Sequence, residues 1–261
     1  MWDTLIITPF INVLMFIYNI VGQNFGVAII LFTILIRLIT YPLTAQQLKG
    51  SKAMQDMQKD ENWLKIQEKY KNDKEKLAQE QMAYYKEKGI NPLASCLPTL
   101  IQFPIIIGLY QSVIRALAST PIELLNLTSH IKAPFLDVAT IIPLNNQFLW
   151  MDLSQPERLN LPFLSFGIPI LAIVVVTTTY LQSKLMQPAS TGGANDQSAM
   201  MGNMMSIYMP VLMGWLALTL ASGLSLYFVI SNLAGIFQYA LMGKLNWKNI
   251  LPKAKKPQGI K

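Results

Sequence analysis

A chain of 261 residues that is 52% apolar and only 13% charged carries about half the charge of an ordinary soluble domain. Its 21 lysines and arginines against 14 aspartates and glutamates give a net charge of +7, yet 18 of these residues crowd between Gln46 and Lys88, and six lysines close the chain. A soluble fold is excluded, because the long uncharged stretches between those blocks expose more apolar surface than such a fold can cover, whereas a bilayer requires them.

Four apolar segments are long enough to cross: about 24–45, 93–117, 162–183 and 204–243. The last runs to about 40 residues where one crossing takes ~20, so it folds back, with Ala221, Ser222 and Gly223 as the natural turn. That predicts five spans: 23–45, 91–118, 162–185, 204–220 and 223–243. Residues 1–22 are apolar but carry Asp3, Pro9, Asn12 and Asn19, with no basic start and no small-residue cleavage site. They read as an interfacial amphipathic helix on the outer face, with a sixth span as the alternative.

Lysine and arginine counts orient the spans. The 46–90 connection holds ten and the 244–261 tail six, while the 119–161 connection holds only Lys132 and Arg158. The first two are therefore cytosolic and the third extracytoplasmic, with the amino terminus outside and the carboxyl terminus inside. The 186–203 loop, with Gly192, Gly193 and Asn195, falls in the cytosol. Tail lysines Lys244, Lys248, Lys253, Lys255, Lys256 and Lys261 read as a membrane-surface or ribosome contact, not as a direct nucleic-acid site.

The charged block reads as a helical hairpin. Good helix formers run from Gln46 to Tyr70, Asn72 and Glu75 match a capping box, and Gly89 and Pro92 stop the second helix. Its apolar seam (Met54, Met57, Leu64, Leu77, Tyr84) is thin, so a solvated linker is the alternative.

Arg37 is the informative residue. It stands ~13 Å along a helix from Gln46, too deep to reach headgroups comfortably. An arginine at mid-helix costs roughly 2.5–3.5 kcal/mol on insertion scales. None of the spans contains an Asp or Glu to neutralise it, so its environment must be wet. Polar stripes agree. Thr33, Arg37, Thr40 and Thr44 share one face of the first span, and Ser95, Thr99 and Gln102 one face of the second. Thr178 and Gln182 mark the third, and Tyr227, Ser231 and Gln238 the fifth. All lie mainly in the cytosolic halves, which predicts a hydrophilic groove open to the cytosol and closed outward.

Other chemistry is missing. There is no GxSxG, HExxH or Walker glycine loop, and the one histidine, His130, lies in the outer connection. Cys96 is alone, so neither a disulfide nor a thiolate metal site is implied. The methionines Met200, Met201, Met204, Met205, Met209 and Met213 lack Cys or His companions and read as adaptable packing, not copper ligands. No cofactor is called for. An anion transporter built on Arg37 would need a polar path through the outer halves, which are apolar. A membrane-surface enzyme would need a nucleophile-base or metal constellation that the sequence does not offer.

Asn91-Pro92-Leu93, Cys96-Leu97-Pro98, Leu100, Gln102-Phe103-Pro104-Ile105 and Leu109-Tyr110 form a signature in the second span. With LIRLITYPLT at 35–44, FLWMDLS at 148–154, LQSKLM at 181–186 and GLSLYF at 223–228, the chain resembles the YidC/Oxa/Alb insertases over nearly its whole length. It is similar to the short bacterial form, without a large external domain before the first span. The resemblance implies a plasma-membrane, non-enzymatic insertase and chaperone with five spans around a cytosol-facing groove. Its partners would be client membrane proteins, the ribosome, the Sec translocon and the bilayer. Arg37 would be the groove arginine, Gln182 a lining residue, and the hairpin a mobile cytosolic element. Phe228 stands where many relatives carry tryptophan, which weakens any role for an indole there.

Overall fold

The computed structural model describes residues 2–58, 60–70, 73–89, 97–116, 127, 130–131, 144–159, 167–186, 197–243 and 245. Ser95, Cys96, the loop from 187 to 196 and the six tail lysines lie outside the described residues, as do the side chains of Thr99 and Gln102. The described fold is helical apart from one two-stranded ribbon. Among the described residues, Asp3–Ile20 and Ser222–Leu241 are each long and apolar enough to cross a membrane. Phe25–Ile39, Phe103–Ala116, Ile170–Met186 and Ser206–Thr219 are shorter apolar helices. The chain divides into two units, residues 1–37 with 111–261, and residues 38–110.

In the first unit, a π-helical turn (Asp3–Ile7) leads into α1 (Thr8–Ile20), with Pro9 tolerated in its first turn. Ile7, Ile11, Leu14, Met15 and Tyr18 are buried on one face at helical spacing. Leu5, Phe16 and Ile20 are exposed on another, so the helix is apolar on two sides. The chain turns through Gly22 and Gln23, both at positive φ, and enters α2 (Phe25–Ile39) behind Asn24, whose side chain accepts from Val27 N. Phe10 meets Phe32 edge-on at 5.3 Å and Tyr18 meets Phe25 at 5.9 Å, which lays α1 along the first turns of α2. At its other end Asp3 pairs with Arg115 at 2.6 Å, and Trp2 Nε1 donates to Gln111 at 2.8 Å. Both contacts are with the last turns of the helix that ends at Ala116.

The remaining helices of this unit follow residues 144–159. α7 (Ile170–Met186) packs against both α8 (Gln197–Thr219) and α9 (Ser222–Leu241). Gly214 lets α8 approach, since a Cβ there would fall on Val176. Only Leu220 and Ala221 separate α8 from α9. Every residue from Ser222 to Val229 is buried, so α9 enters through the middle of the unit.

Residues 144–159 close the starts of these helices. The strands β1 (Gln147–Phe148) and β2 (Met151–Asp152) pair antiparallel, with Phe148 opposite Met151. A helix start leaves orphan N–H groups, and this segment supplies acceptors for them. Ser222 N donates to Gln155 O at 2.8 Å and Gly223 N to Leu153 O at 3.1 Å. The Glu157 carboxylate accepts Leu171 N at 3.0 Å at the start of α7. Phe148 lies against Gly26 in the first turn of α2, where no side chain would fit.

The second unit holds α3 (Tyr41–Gln58), α4 (Glu61–Lys69), α5 (Lys74–Glu87) and the first turns of α6 (Leu97–Ala116). The helix expected from Gln46 to Tyr70 is instead interrupted at Asp60, whose carboxylate accepts Asn62 N at 2.9 Å and caps α4. A side chain that satisfies an orphan donor gives the backbone an alternative to continuing the helix. For the same reason α5 is capped by Asp73, on Lys76 N at 3.1 Å, one residue after Asn72. The seam also differs from expectation. Trp63, Met57, Tyr84 and Tyr85 form a buried cluster against Ile66 and Leu77, while Leu64 faces solvent.

Asp60 and Lys88 close the hairpin at 3.4 Å, with the Lys88 ammonium over the Tyr84 ring. The Asn62 N–H, the Tyr84 hydroxyl and Lys88 hold the Asp60 carboxyl below its ordinary range. Its contribution is therefore present above the ordinary carboxylate pKa and lost as pH falls through the depressed value. Truncating a buried Trp typically costs about 3–5 kcal/mol, as much as a cluster this small can supply. Trp63→Ala should thus bring amide exchange in α4 and α5 close to unfolded rates and leave α9 unchanged. In the intact protein, α4 and α5 should already exchange faster than α9. Protection equal to that of α9 would show a hairpin as rigid as the spans.

Candidate functional site

Arg37 occupies the last turn of α2, and three helices of the first unit converge on it. Besides α2 itself, these are α7 and α9: from α9, Ser231 Oγ accepts from the Arg37 Nε at 3.0 Å and also from Nη2. Two helical turns further, Gln238 Nε2 donates to the Arg37 carbonyl at 2.9 Å. α9 therefore grips both the side chain and the backbone of one residue, with two side chains seven positions apart on one face. Between them stands Gly235. A Cβ there would lie 2.5 Å from Gln182 Nε2 of α7 and 3.8 Å from Arg37 Nη1. Glycine is what leaves room for the carboxamide and the guanidinium to lie close to α9 at this turn. The phenols of Tyr227 and Tyr239 lie within electrostatic range of the guanidinium.

Each of these partners is neutral, and α2, α7 and α9 contain no Asp or Glu. The guanidinium thus donates to a neutral hydroxyl, that of Ser231. Arg37 and Gln182 are half-buried, whereas Ser231, Tyr227 and Gln238 are buried. Gln238 Oε1 is a buried acceptor without a partner among the described residues, a costly state that a further donor would relieve.

The other expected residues fall differently. Thr178 belongs to a polar tie between α7 and α9, where Asn232 Nδ2 donates to Thr178 Oγ1 at 3.2 Å and Thr179 Oγ1 at 2.8 Å. Phe228 is buried, its ring 5.8 Å from that of Tyr227. Thr33 is also fully buried and spends its hydroxyl on Ile29 O at 2.6 Å, the common fate of a threonine within an apolar helix. Thr40 and Thr44 belong to the second unit, where Thr44 Oγ1 donates to Thr40 O at 3.1 Å.

Sequence reasoning missed Gly235, Asn232, Thr179 and Tyr239. The spacing of Tyr227, Ser231, Gly235 and Gln238 at 4, 4 and 3 carries the signal for the glycine, because a residue without a side chain inside a polar stripe marks a close approach. On the far side of this unit the 144–159 segment buries Phe148 partly and Met151 and Leu153 fully. Arg37, Gln182 and Gln238 thus lie toward one end of α7 and α9, and the starts of both helices are covered by this segment through buried Met151 and Leu153 and the hydrogen bonds of Gln155, Leu153 and Glu157.

A protein family described as 60Kd inner membrane protein matches residues 16–249. The membrane protein insertase MisCA of Bacillus subtilis is 35% identical over 243 residues, which covers 92% of this chain and 78% of that one. Membrane protein insertase YidC 2 of Listeria innocua is 36% identical, with 92% of this chain and 71% of that one covered. The crystal structure of an active YidC insertase with its first transmembrane domain resolved matches with a TM-score of 0.55 at 24% identity, a likeness of fold. It covers 92% of this chain, which spans 46% of that longer one.

Proposed function

The chain belongs to the YidC/Oxa/Alb family of membrane protein insertases, and we propose that it inserts clients by lowering the barrier for their polar segments at the Arg37 site. It is a multi-pass membrane protein that inserts and chaperones other membrane proteins, and it is not an enzyme. The observation that carries the mechanism is the charge of Arg37, which donates to the neutral Ser231 while Gln238 holds its backbone carbonyl, in helices that contain no carboxylate. Such a charge is stable at membrane depth only where water enters. A client's polar extracytoplasmic segment enters the wet site, and only the apolar outer part is left to cross. Its apolar segment partitions into lipid alongside. Arg37 attracts acidic residues in transit, and the membrane potential adds about 2.3 kcal/mol per charge per 100 mV.

We further place the amino terminus outside and the basic tail in the cytosol, with five spans. Support comes from the lysine and arginine asymmetry and from α1, whose two ends meet the start of α2 and the end of α6. Its second apolar face, away from α2, suits the interface. The tail is read as a ribosome contact, the hairpin as a recruiting element, and the Sec translocon as a partner for larger clients.

Orientation can be tested with an impermeant thiol reagent on intact cells. A cysteine at Asn145, which is exposed, should react, and one at Gln79 should not. Reaction at both, or the reverse, would contradict the orientation and the cytosol-open site with it.

A further inference from the structure

We propose that the tip of the outer hairpin, Leu149 and Trp150, is a lipid-surface anchor seated at the boundary of headgroups and acyl chains around the starts of α7 and α9. These two residues form the turn between β1 and β2. Leu149 has φ +56°, a left-handed conformation that a two-residue hairpin normally fills with glycine or asparagine. The chain instead places leucine there and leaves it 72% exposed, with Trp150 half-exposed beside it. Turn geometry alone would select against this pair.

Hydrogen bonds fix the tip's depth. Trp150 Nε1 donates to Glu157 Oε1 at 2.9 Å, while Glu157 Oε2 accepts Leu171 N at 3.0 Å in the first turn of α7. The indole is therefore two hydrogen bonds from the start of an apolar membrane helix, with its one polar atom satisfied and about half of its surface open to lipid. Tryptophan favours that depth. The acids nearby are turned inward. Glu157 is buried, and Asp152 accepts from Asn146 Nδ2, Ser154 N and Ser154 Oγ. The tip thus presents no charge to a headgroup layer. A protein partner is disfavoured by size, since a stable protein interface takes about 20–30 residues a side and the tip offers two. The exposed apolar residues Ile173 and Val174 of α7 continue the same surface downward.

The test uses the full chain in phosphatidylcholine–phosphatidylglycerol vesicles, with lipids brominated at shallow or deep acyl positions. Subtracting the fluorescence of Trp150→Phe from that of the intact protein isolates Trp150. Shallow bromines should quench it roughly twofold more than deep ones or aqueous iodide, as expected for an interfacial indole. Leu149→Gly, whose backbone suits the turn, should fold and yet raise iodide quenching of Trp150 and red-shift its emission. Iodide quenching at the level of free tryptophan would overturn the proposal, as would shielding from both bromines and iodide, which would place the tip against protein.

Discussion

Arg37→Ala should fold and reach the membrane, yet insert clients with acidic extracytoplasmic segments about tenfold more slowly, a barrier change near 1.4 kcal/mol. The fold should survive because the groups left behind are neutral. Ser231 can return its hydroxyl to its own helix, and Gln238 holds the backbone carbonyl of residue 37, which alanine keeps. Clients whose translocated segments lack charge should be affected less. Arg37→Lys should retain most activity, because the ammonium supplies the charge and loses only the planar fork that spans Ser231. A pulse-labelled panel of clients scored by protease accessibility reads all three outcomes. Unfolding of the alanine variant would make Arg37 a structural tie, and failure of a folded lysine variant would make bidentate bonding the working element.

Gly235→Val should impair every client, charged or not, and this separates it from the loss of Arg37. The first added carbon would stand 2.5 Å from Gln182 Nε2 and 3.8 Å from Arg37 Nη1, and two methyl groups follow it. Overpacking of this kind costs about 1–3 kcal/mol. Here part of that cost is met by expelling the flexible Gln182 carboxamide and tilting the guanidinium off Ser231. Gly235→Ala should show a weaker form of the same defect, since only the end of one side chain must move. Thermal midpoints in detergent, measured beside the insertion panel, separate a blocked site from a misfolded protein. Equal insertion by Gly235→Val and the parent would show that the approach of Gln182 and Arg37 to α9 at Gly235 has no role.

Charge placement made much of this molecule legible beforehand, because a charge inside a bilayer has few explanations. Arg37, Ser231, Gln238 and Gln182 were found that way, and they do converge. Threonines were a poorer guide. The hydroxyl of Thr33 can bond its own backbone, so membership of a stripe says nothing about whether it faces water. Gly235 was missed because the stripe was read from polar side chains alone, although the glycine falls at the stripe's own spacing. In the hairpin, Trp63 and Leu64 are adjacent and both apolar, and a break at Asp60 resets the helical phase. A period counted through the break selects the wrong one. The two apolar faces of α1 explain why this segment also has the composition of a span.

The central claim is that a hydrated, positively charged site lowers the barrier to insertion without nucleotide or covalent chemistry. Its most direct test is the purified chain alone in liposomes, with an inside-negative potential and a small single-span client bearing an acidic translocated segment. The account predicts that the segment becomes protected from external protease without nucleotide, and that protection drops about tenfold in Arg37→Ala liposomes. Protection that is equal with the alanine variant, or that appears only when nucleotide is added, would contradict it.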